Sequence, residues 1–549
     1  MPRLNPSRVV GGTRRTRATR ACLATTQLIA GIGCVVAAAP ALADSWRLSA
    51  WASATEEYTS NVNYSVGSLA NGDFVTSVSA GLNINGEGGG KRLKVSGSIG
   101  LAQQLYIGQP QNNSIAPNVN LLAKLEAIEN FAFVDAQAFV SPTFVSPFGA
   151  QPNDLVNATQ NRYTQQTYSV SPYIRGVFPS SNISYQLRDD NYWTVATSFG
   201  NSSAVVPNTY ANNLSASMSS PVNPWGWTLS FSRSYYDNGL VTGSGIANDN
   251  AIADTSTTYY NLLATLPYQI DPQLQLSLRA GYQSYKFAAP SIQEGSYGIG
   301  VQWSPTDRTQ VGGFWDHTFY GASYSAQISH RLPNAALSAN FSRGLSSFPQ
   351  LALAIPAGAT VNQFVDAAFT TRIPDPAERA TAVEQFLARS GLPPTLASPV
   401  NFYATSLTLQ QSATVSLVLI GTLNSVTFSL FNLTTQDISR TGEVLPPAFG
   451  FGQDNTQTGG SIAFSHRLSG FTSLGASATY STTKANVSTG PFADARSRNG
   501  YMSLNLGTQF GPKTTGSASV SYSETRFTGA ASPGTASALN FIATVSHTF

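Results

Sequence analysis

The sequence has 549 residues, of which 10% are charged and 11% are aromatic. Soluble globular proteins carry about 25% charged residues and disordered chains carry few aromatic ones, so the composition argues against both classes. The formal charge of +3 comes from a basic start: without its six arginines, 24 basic residues stand against 27 acidic ones, and no nucleic-acid partner is indicated.

Residues 1–43 have the pattern of a secretory signal peptide. A basic start without acidic residues precedes a small-residue apolar run, and Ala41-Leu42-Ala43 fits a cleavage site. Both cysteines, Cys22 and Cys34, lie in this segment, so the exported chain is expected to lack disulfides and two-cysteine metal or redox motifs. The rest of the chain has no apolar run long enough for a transmembrane helix. We therefore predict export through the general secretory route.

Beyond residue 43, apolar and polar residues alternate in segments of about ten residues. Leu274, Leu276 and Leu278, for example, alternate with polar residues on the other face of one segment. The segments are joined alternately by tight turns and by longer loops. This pattern predicts an all-β fold, a transmembrane antiparallel outer-membrane β-barrel formed by residues 44–549. We count about 22 strands, with 18–22 plausible; a β-sandwich would show the pattern only in part.

One stretch, residues 346–401, breaks the alternation and is too long for a simple loop. Asp375-Pro376-Ala377-Glu378 matches a helix N-terminus with a capping-box acid, and Gly391 ends the segment. The amphipathic helix could constrict the lumen, cap the extracellular mouth or pack on itself at the surface. Its candidate gate residues are Asp375, Glu378, Val383, Phe386 and Leu387.

The chain ends in a two-faced segment, Ala538 to Phe549, with an aromatic last residue. This pattern resembles the C-terminal signal that the barrel-insertion machinery recognises in outer-membrane barrels. Phe541, Val545 and Phe549 are the candidate signal residues. His547 occupies a position where an apolar residue is usual, and we expect it at the periplasmic interface.

Several short motifs resemble the outer-membrane β-barrel family associated with PEP-CTERM/exosortase systems and exopolysaccharide gene clusters. They are the opening segment Glu56 to Val62, the turn Trp303 to Arg308, the strand start Gly321 to Tyr324 and the helical insertion from Asp375. Ser60 stands where the family usually has Asp. The resemblance implies a role in export or presentation of surface polysaccharide or protein and no established binding residues.

No catalytic, cofactor or metal motif stands out, so we predict neither an enzyme nor a cofactor. Asp316-His317 is a possible half of a catalytic pair, but adjacent strand residues point to opposite faces. If the apolar face contacts lipid, polar residues line the lumen, and they suit either a path for polar or anionic solutes or a set of groups that only satisfy one another. The candidate lumen residues are Lys94, Asp135, Arg175, Arg188 and Arg279.

The leading hypothesis is therefore a channel or scaffold in the outer membrane for surface polysaccharide. The alternatives are a general or nutrient porin and a non-conducting structural or adhesin barrel. A TonB-dependent receptor would need a plug domain of roughly a hundred residues before the barrel, and the predicted strands begin within a few residues of the cleavage site. The expected partners are outer-membrane lipid and lipopolysaccharide, the insertion machinery and polysaccharide-export components.

Overall fold

The fold is a closed barrel of 22 antiparallel strands, described here from a computed structural model. Each strand pairs with the next along the chain, and β1 (Ala43–Thr59) closes the ring against β22 (Gly534–Thr548). The predicted fold class and strand number are confirmed. The structure describes residues 43–549 except 201–205, 207, 238–255, 288, 349, 351–352, 354–364, 367–368, 371–372, 374–378, 380–381, 384–385, 387–398, 401–406, 439–453, 488–492 and 530–533.

The remaining strands follow in chain order. They are β2 Asp73–Gly88, β3 Leu93–Tyr106, β4 Ser114–Ile128, β5 Ala132–Phe144, β6 Arg162–Phe178, β7 Ile183–Ser198, β8 Thr209–Ser219, β9 Thr228–Asp237, β10 Ser256–Asp271, β11 Leu274–Phe287, β12 Ala289–Thr306, β13 Thr309–Thr318, β14 Gly321–Leu332, β15 Ala335–Ser346, β16 Thr408–Ile420, β17 Asn424–Asp437, β18 Asn455–Arg467, β19 Thr472–Ala485, β20 Arg496–Gly511 and β21 Thr514–Thr528. Two 3-10 turns, Gly67–Leu69 and Pro110–Asn112, lie in loops.

Apolar and polar residues alternate along the strands because one face of the sheet contacts lipid and the other surrounds the lumen. On β11, Leu276, Leu278 and Tyr282 are 43%, 62% and 50% exposed, although they are apolar or aromatic. Directly paired residues share a face, so the register carries this outer side from strand to strand around the ring. Closure leaves no free strand edge, as hydrocarbon requires.

Aromatic pairs at the outer surface mark one rim of the barrel. Trp225 and Tyr268 have ring centroids 4.3 Å apart, and Phe178 and Tyr185 have centroids 4.7 Å apart, both beside short turns. Such aromatic girdles flank the apolar band of membrane barrels. A closed barrel with an apolar outer band and this rim is an outer-membrane protein. Among the described residues, no helix is long and apolar enough to span a membrane.

The closing strand presents its predicted signal residues to the outside. Phe541, Val545 and Phe549 are 51%, 51% and 66% exposed and share one face. His547 lies on the same face, where its Nδ1 is 2.9 Å from Thr514 Oγ1 and its ring packs edge-on against Phe549. Whether the insertion machinery uses this face remains a prediction.

Short turns and long loops lie at opposite ends of the barrel, which fixes its orientation. The turns after the even-numbered strands are tight, whereas loop 1 (60–72), loop 3 (145–161) and the insertion (347–407) follow odd-numbered strands. Barrels of this class place short turns in the periplasm and long loops outside. Trp225 lies before β9, which begins at Thr228, and forms an isolated bridge with Tyr268.

Candidate functional site: the occupied lumen

The structure places the five candidate lumen residues on the inner face, and it gives most of them partners. Arg188 donates from its guanidinium to Asp135 Oδ2 at 3.0 Å and to Asp190 Oδ1 at 2.7 Å. Lys94 pairs with Glu87 at 2.8 Å near the periplasmic rim. The positive charges of Lys94 and Arg188 are therefore neutralised by nearby carboxylates.

Arg279 forms the best-ordered of these pairs. Its Nε and a terminal nitrogen donate to the two carboxylate oxygens of Asp316 at 2.7 and 2.9 Å. Gly298 lies between them in the register, and a Cβ at this position would overlap Asp316 Oδ1. The glycine thus lets the two side chains meet across an intervening strand. Asp316 is committed to Arg279, while His317 stacks against Tyr297 on the outer face, so they form no catalytic pair.

Arg175 differs from the other four candidates because its guanidinium lies over the Phe133 ring, 4.6 Å from the centroid. This contact is a cation–π interaction. Its side chain stays exposed to the lumen.

Hydroxyl groups line the lumen on the β16–β22 side. Cross-strand pairs join Ser477 to Ser503 at 2.7 Å and Thr55 to Thr544 at 2.9 Å. Ser429 and Ser461 pair at 2.8 Å. A wall of small hydroxyls is polar and carries no charge.

The insertion enters the lumen and packs at its periplasmic end. Val365 and Val383 are 0% and 1% exposed and contact an apolar patch on the inner wall. The patch lies at the turn end of the strands, since Ala336 is the second residue of β15 and Ile420 is the last residue of β16. Its wall residues are Ala336, Val418, Ile420 and Ala463, and Phe369 and Phe386 of the insertion pack against it. We call this contact the seat of the insertion.

Polar contacts hold the described part of the insertion together and tie it to the wall. Asp366 accepts a hydrogen bond from Arg379 Nε at 2.8 Å. The Gln457 side-chain amide on β18 pairs with both backbone groups of Val400, at 2.9 and 3.0 Å. Val383 and Phe386 belong to the seat, whereas Asp375, Glu378 and Leu387 lie outside the described residues.

Loop 3 is a second segment inside the lumen, and the sequence pattern did not predict its position there. Asp154 Oδ2 accepts hydrogen bonds from Asn540 Nδ2 at 2.6 Å and from Ser521 Oγ at 3.1 Å. Asn157, 0% exposed, donates to Thr59 Oγ1 at 2.8 Å. These contacts join the β5–β6 loop to β1, β21 and β22, which are not its neighbours in the ring. We call them the loop 3 latch.

Arg162, the first residue of β6, holds the backbone of loop 3 through hydrogen bonds. It is 3% exposed, and its guanidinium donates to the carbonyls of Pro152, Asp154 and Leu155 as well as of Asn157, at 3.0 to 3.3 Å. The rings of Phe144 and Phe199 lie within 6 Å of it. One buried cation therefore replaces the backbone hydrogen bonds that an irregular inward loop cannot make.

The opening motif that resembles the PEP-CTERM-associated family lies against this latch. Asn61 Nδ2 donates to the carbonyls of Ser65 and Ser537, both at 2.9 Å, and Val62 is fully buried. The Val62 carbonyl accepts from Ala158 N at 2.7 Å. The motif thus anchors loop 1 and loop 3 together. A run of Pro, Asn and Asp ahead of an arginine, 152–162, was the available signal for this loop.

Asp154 has a raised pKa because the latch is buried. The hydrogen bonds from Asn540 and Ser521 and the charge of Arg162 act in the opposite direction, but burial prevails. Glu57 of β1 is 5% exposed and lies close enough to interact with it electrostatically.

Known proteins share only the general shape of this chain. No model of a known family and no curated protein matches it. Among solved structures it is similar to the siderophore receptor PirA of Acinetobacter baumannii, with a TM-score of 0.43 and 10% identity over 91% of this chain and 80% of that one. A variant of the ferric enterobactin receptor PfeA of Pseudomonas aeruginosa in complex with enterobactin gives 0.44 and 11%, over 91% and 81%. The ferripyoverdine receptor of Pseudomonas aeruginosa gives 0.42 and 10%, over 91% and 72%. Similarity at this level says nothing about ligands or partners.

Proposed function

We propose that this protein is a gated outer-membrane channel for polar, largely uncharged solutes. The observation that carries the proposal is the seat, where buried Val365 and Val383 pack against the inner wall at the periplasmic end of the lumen. Burial holds each of these side chains by about 1.5–3 kcal/mol, beside the two hydrogen bonds between Gln457 and Val400. A contact of that size can open and close reversibly, which is what a gate requires.

The lumen chemistry supports the solute class. The charges at Arg188, Arg279 and Lys94 have carboxylate partners, so they attract ions weakly. The hydroxyl wall offers hydrogen bonds without charge. A neutral saccharide can form hydrogen bonds with such a wall and does not require a charged partner. The sequence hypothesis of polar or anionic solutes is thus narrowed toward neutral ones.

The resemblance to the PEP-CTERM-associated family suggests surface polysaccharide as the cargo, moving outward together with export components. Deletion of the gene is then expected to lower the amount of surface polysaccharide, measured by sugar analysis of washed cells. An unchanged amount of surface polysaccharide would show that the channel does not export it. Uptake of saccharides would then become the leading hypothesis.

Single-channel recording in planar bilayers tests the gate. Val383→Asp places a charge in the apolar seat and is expected to raise the open probability at least tenfold over the wild type, as is deletion of residues 376–391. Leu69→Asp, in exposed loop 1, is the matched control and is expected to leave it unchanged. If neither the variant nor the deletion conducts, the channel proposal is wrong and a non-conducting barrel takes its place.

A further inference from the structure

A cavity of about 300 Å³ lies at the extracellular end of the barrel, among loop 1, loop 2 (107–113), loop 3 and residues 199–200 after β7. No charged side chain lines it among the residues that the structure describes. Its polar groups are side-chain amides and hydroxyls, including Asn63, Asn112 and Ser114, and the rings of Tyr106 and Phe199 form part of its wall. We call it the mouth pocket.

The amides of the mouth pocket are held in place by one another. Asn63 Nδ2 donates to Gln109 Oε1 at 2.7 Å, and Asn63 Oδ1 accepts from Asn112 Nδ2 at 2.8 Å. A primary amide has two N–H groups and two lone pairs. Each of these bonds therefore uses half of the capacity of its Asn63 atom, and the other half can reach a ligand.

The wall of the pocket is built on fixed backbone. Tyr106 Oη donates to the Val156 carbonyl of loop 3 at 2.8 Å, and Ala158, which also lines the pocket, bonds to loop 1 through Val62. Asn157, next to them, is part of the loop 3 latch. Because both loops are anchored, a ligand does not have to order them, and preorganisation of this kind favours binding.

We propose that the mouth pocket binds a neutral saccharide unit presented from outside the cell. Oriented amides recognise the donor–acceptor pattern of sugar hydroxyls, and aromatic rings pack against the C–H face of a pyranose. The lack of a lining cation disfavours phosphate and carboxylate ligands, and the polar lining disfavours lipid. The volume falls at the lower end of the range for small-molecule sites. The proposal names the ligand class for the proposed function, although it does not depend on conduction.

Isothermal titration calorimetry on the full chain in detergent micelles tests the pocket. The probes are maltotriose, which is neutral, and trigalacturonate, which is acidic and of similar size. Maltotriose is expected to bind at least tenfold more tightly. Asn63→Ala and Ala158→Leu, which removes volume from the pocket, are each expected to weaken maltotriose binding about tenfold or more.

Asn153→Ala is the matched control, because Asn153 is an exposed amide of loop 3 that does not line the pocket. It is expected to bind maltotriose like the wild type. Heat-modifiable gel mobility checks that each barrel is folded. If one of the two pocket variants does not fold, the other still tests the pocket. Absence of maltotriose binding, equal binding of both probes, or wild-type affinity in a folded pocket variant would overturn the proposal. Conductance is recorded separately, so failure of the channel and failure of the pocket are distinguishable.

Discussion

Arg233 lies on the lipid-facing side of β9, which makes it an unusual residue in this barrel. It pairs in register with Leu214 and Tyr260, and Tyr260 is 42% exposed on the outer surface. Its Nε is buried and has no hydrogen-bond partner among the described residues, and its guanidinium approaches the Tyr235 ring at 5.8 Å. An outward arginine costs about 2–4 kcal/mol at the bilayer midplane and less toward the interface.

Replacing Arg233 is therefore expected to stabilise the barrel. Arg233→Leu should raise the free energy of unfolding by about 1–3 kcal/mol, since it removes an incompletely paired cation from the lipid face. Urea titration in lipid vesicles measures the change. Arg279→Leu, inside the lumen, is the comparison and should lower the same free energy by about 2–4 kcal/mol, because it strands Asp316. A loss of stability in Arg233→Leu would mean that the arginine has a partner in the membrane.

Asp154 predicts a pH dependence for the loop 3 latch. Burial raises its pKa, so the folded latch favours the protonated form over what the free loop would hold. The extra stability is fully present below the ordinary Asp pKa, about 3.9, and is lost as pH rises through the raised value. Loop 3 should leave the lumen more often as pH rises across that window, and limited proteolysis should then cut it faster.

Asp154→Asn keeps the size of the side chain and removes the titration, so cleavage of its loop 3 should not change through Asp154 over the same window. Asp154→Ala lacks both acceptor oxygens, and its loop 3 should be cleaved readily at every pH. Limited proteolysis across the pH series compares the three proteins. An unchanged pH profile in Asp154→Asn would assign the titration to a group other than Asp154.

At the scale of elements, the insertion and loop 3 differ in how they are held. The insertion is seated by apolar burial around Val365 and Val383 with one side-chain pairing to the wall, whereas loop 3 is latched by several hydrogen bonds and by buried Arg162. Burial is non-directional, so a seated helix can leave as a unit. A hydrogen-bonded latch loses specific partners and leaves polar groups unpaired. The insertion is thus the better candidate for the moving part.

Cross-linking tests this assignment. The sequence has cysteines only at positions 22 and 34, before the barrel. Val383→Cys combined with Val418→Cys places two thiols at the seat. Oxidation, or a short bis-thiol reagent, should hold the lumen closed, and reduction should restore the starting open probability. Each single variant is the control and should respond to neither treatment. A cross-linked channel that still opens would assign gating to loop 3.

At the scale of the whole molecule, closure of the ring depends on β22. Its residues pair with β1 from Trp51 to Thr59 and with β21, so every strand has two neighbours. Phe549 is 66% exposed and its backbone N–H donates to Ala50 at 2.8 Å. The side chain therefore contributes little to packing, and its value lies in recognition during assembly.

Phe549→Ala is accordingly expected to lower the folded barrel in cells several-fold while leaving the refolded protein about as stable as the wild type. Outer-membrane fractionation measures the first and urea titration the second. Leu539→Ala, at a comparably placed outward position on the same strand, is the control. Normal assembly of Phe549→Ala would show that the chain end is not the signal.

The sequence alone determined the barrel, because alternation has a period of two and each strand repeats it. Leu276 and Leu278 must face lipid wherever their strand lies, so strand number and fold class follow from local pattern. It also located the insertion, since residues 346–401 break that pattern, and it marked Val383 and Phe386 as the apolar side of a helix.

Only the tertiary structure decided what occupies the lumen. Asp154 and Asn540 are separated by 386 positions, and no local pattern links them. Arg188 and Arg279 were predicted as lumen cations, but the structure pairs them with Asp135, Asp190 and Asp316. The net charge that they present to the lumen is therefore small. A local period specifies which face a side chain takes. Ring closure specifies which distant groups meet, because it fixes the register and brings the loops over one shared lumen.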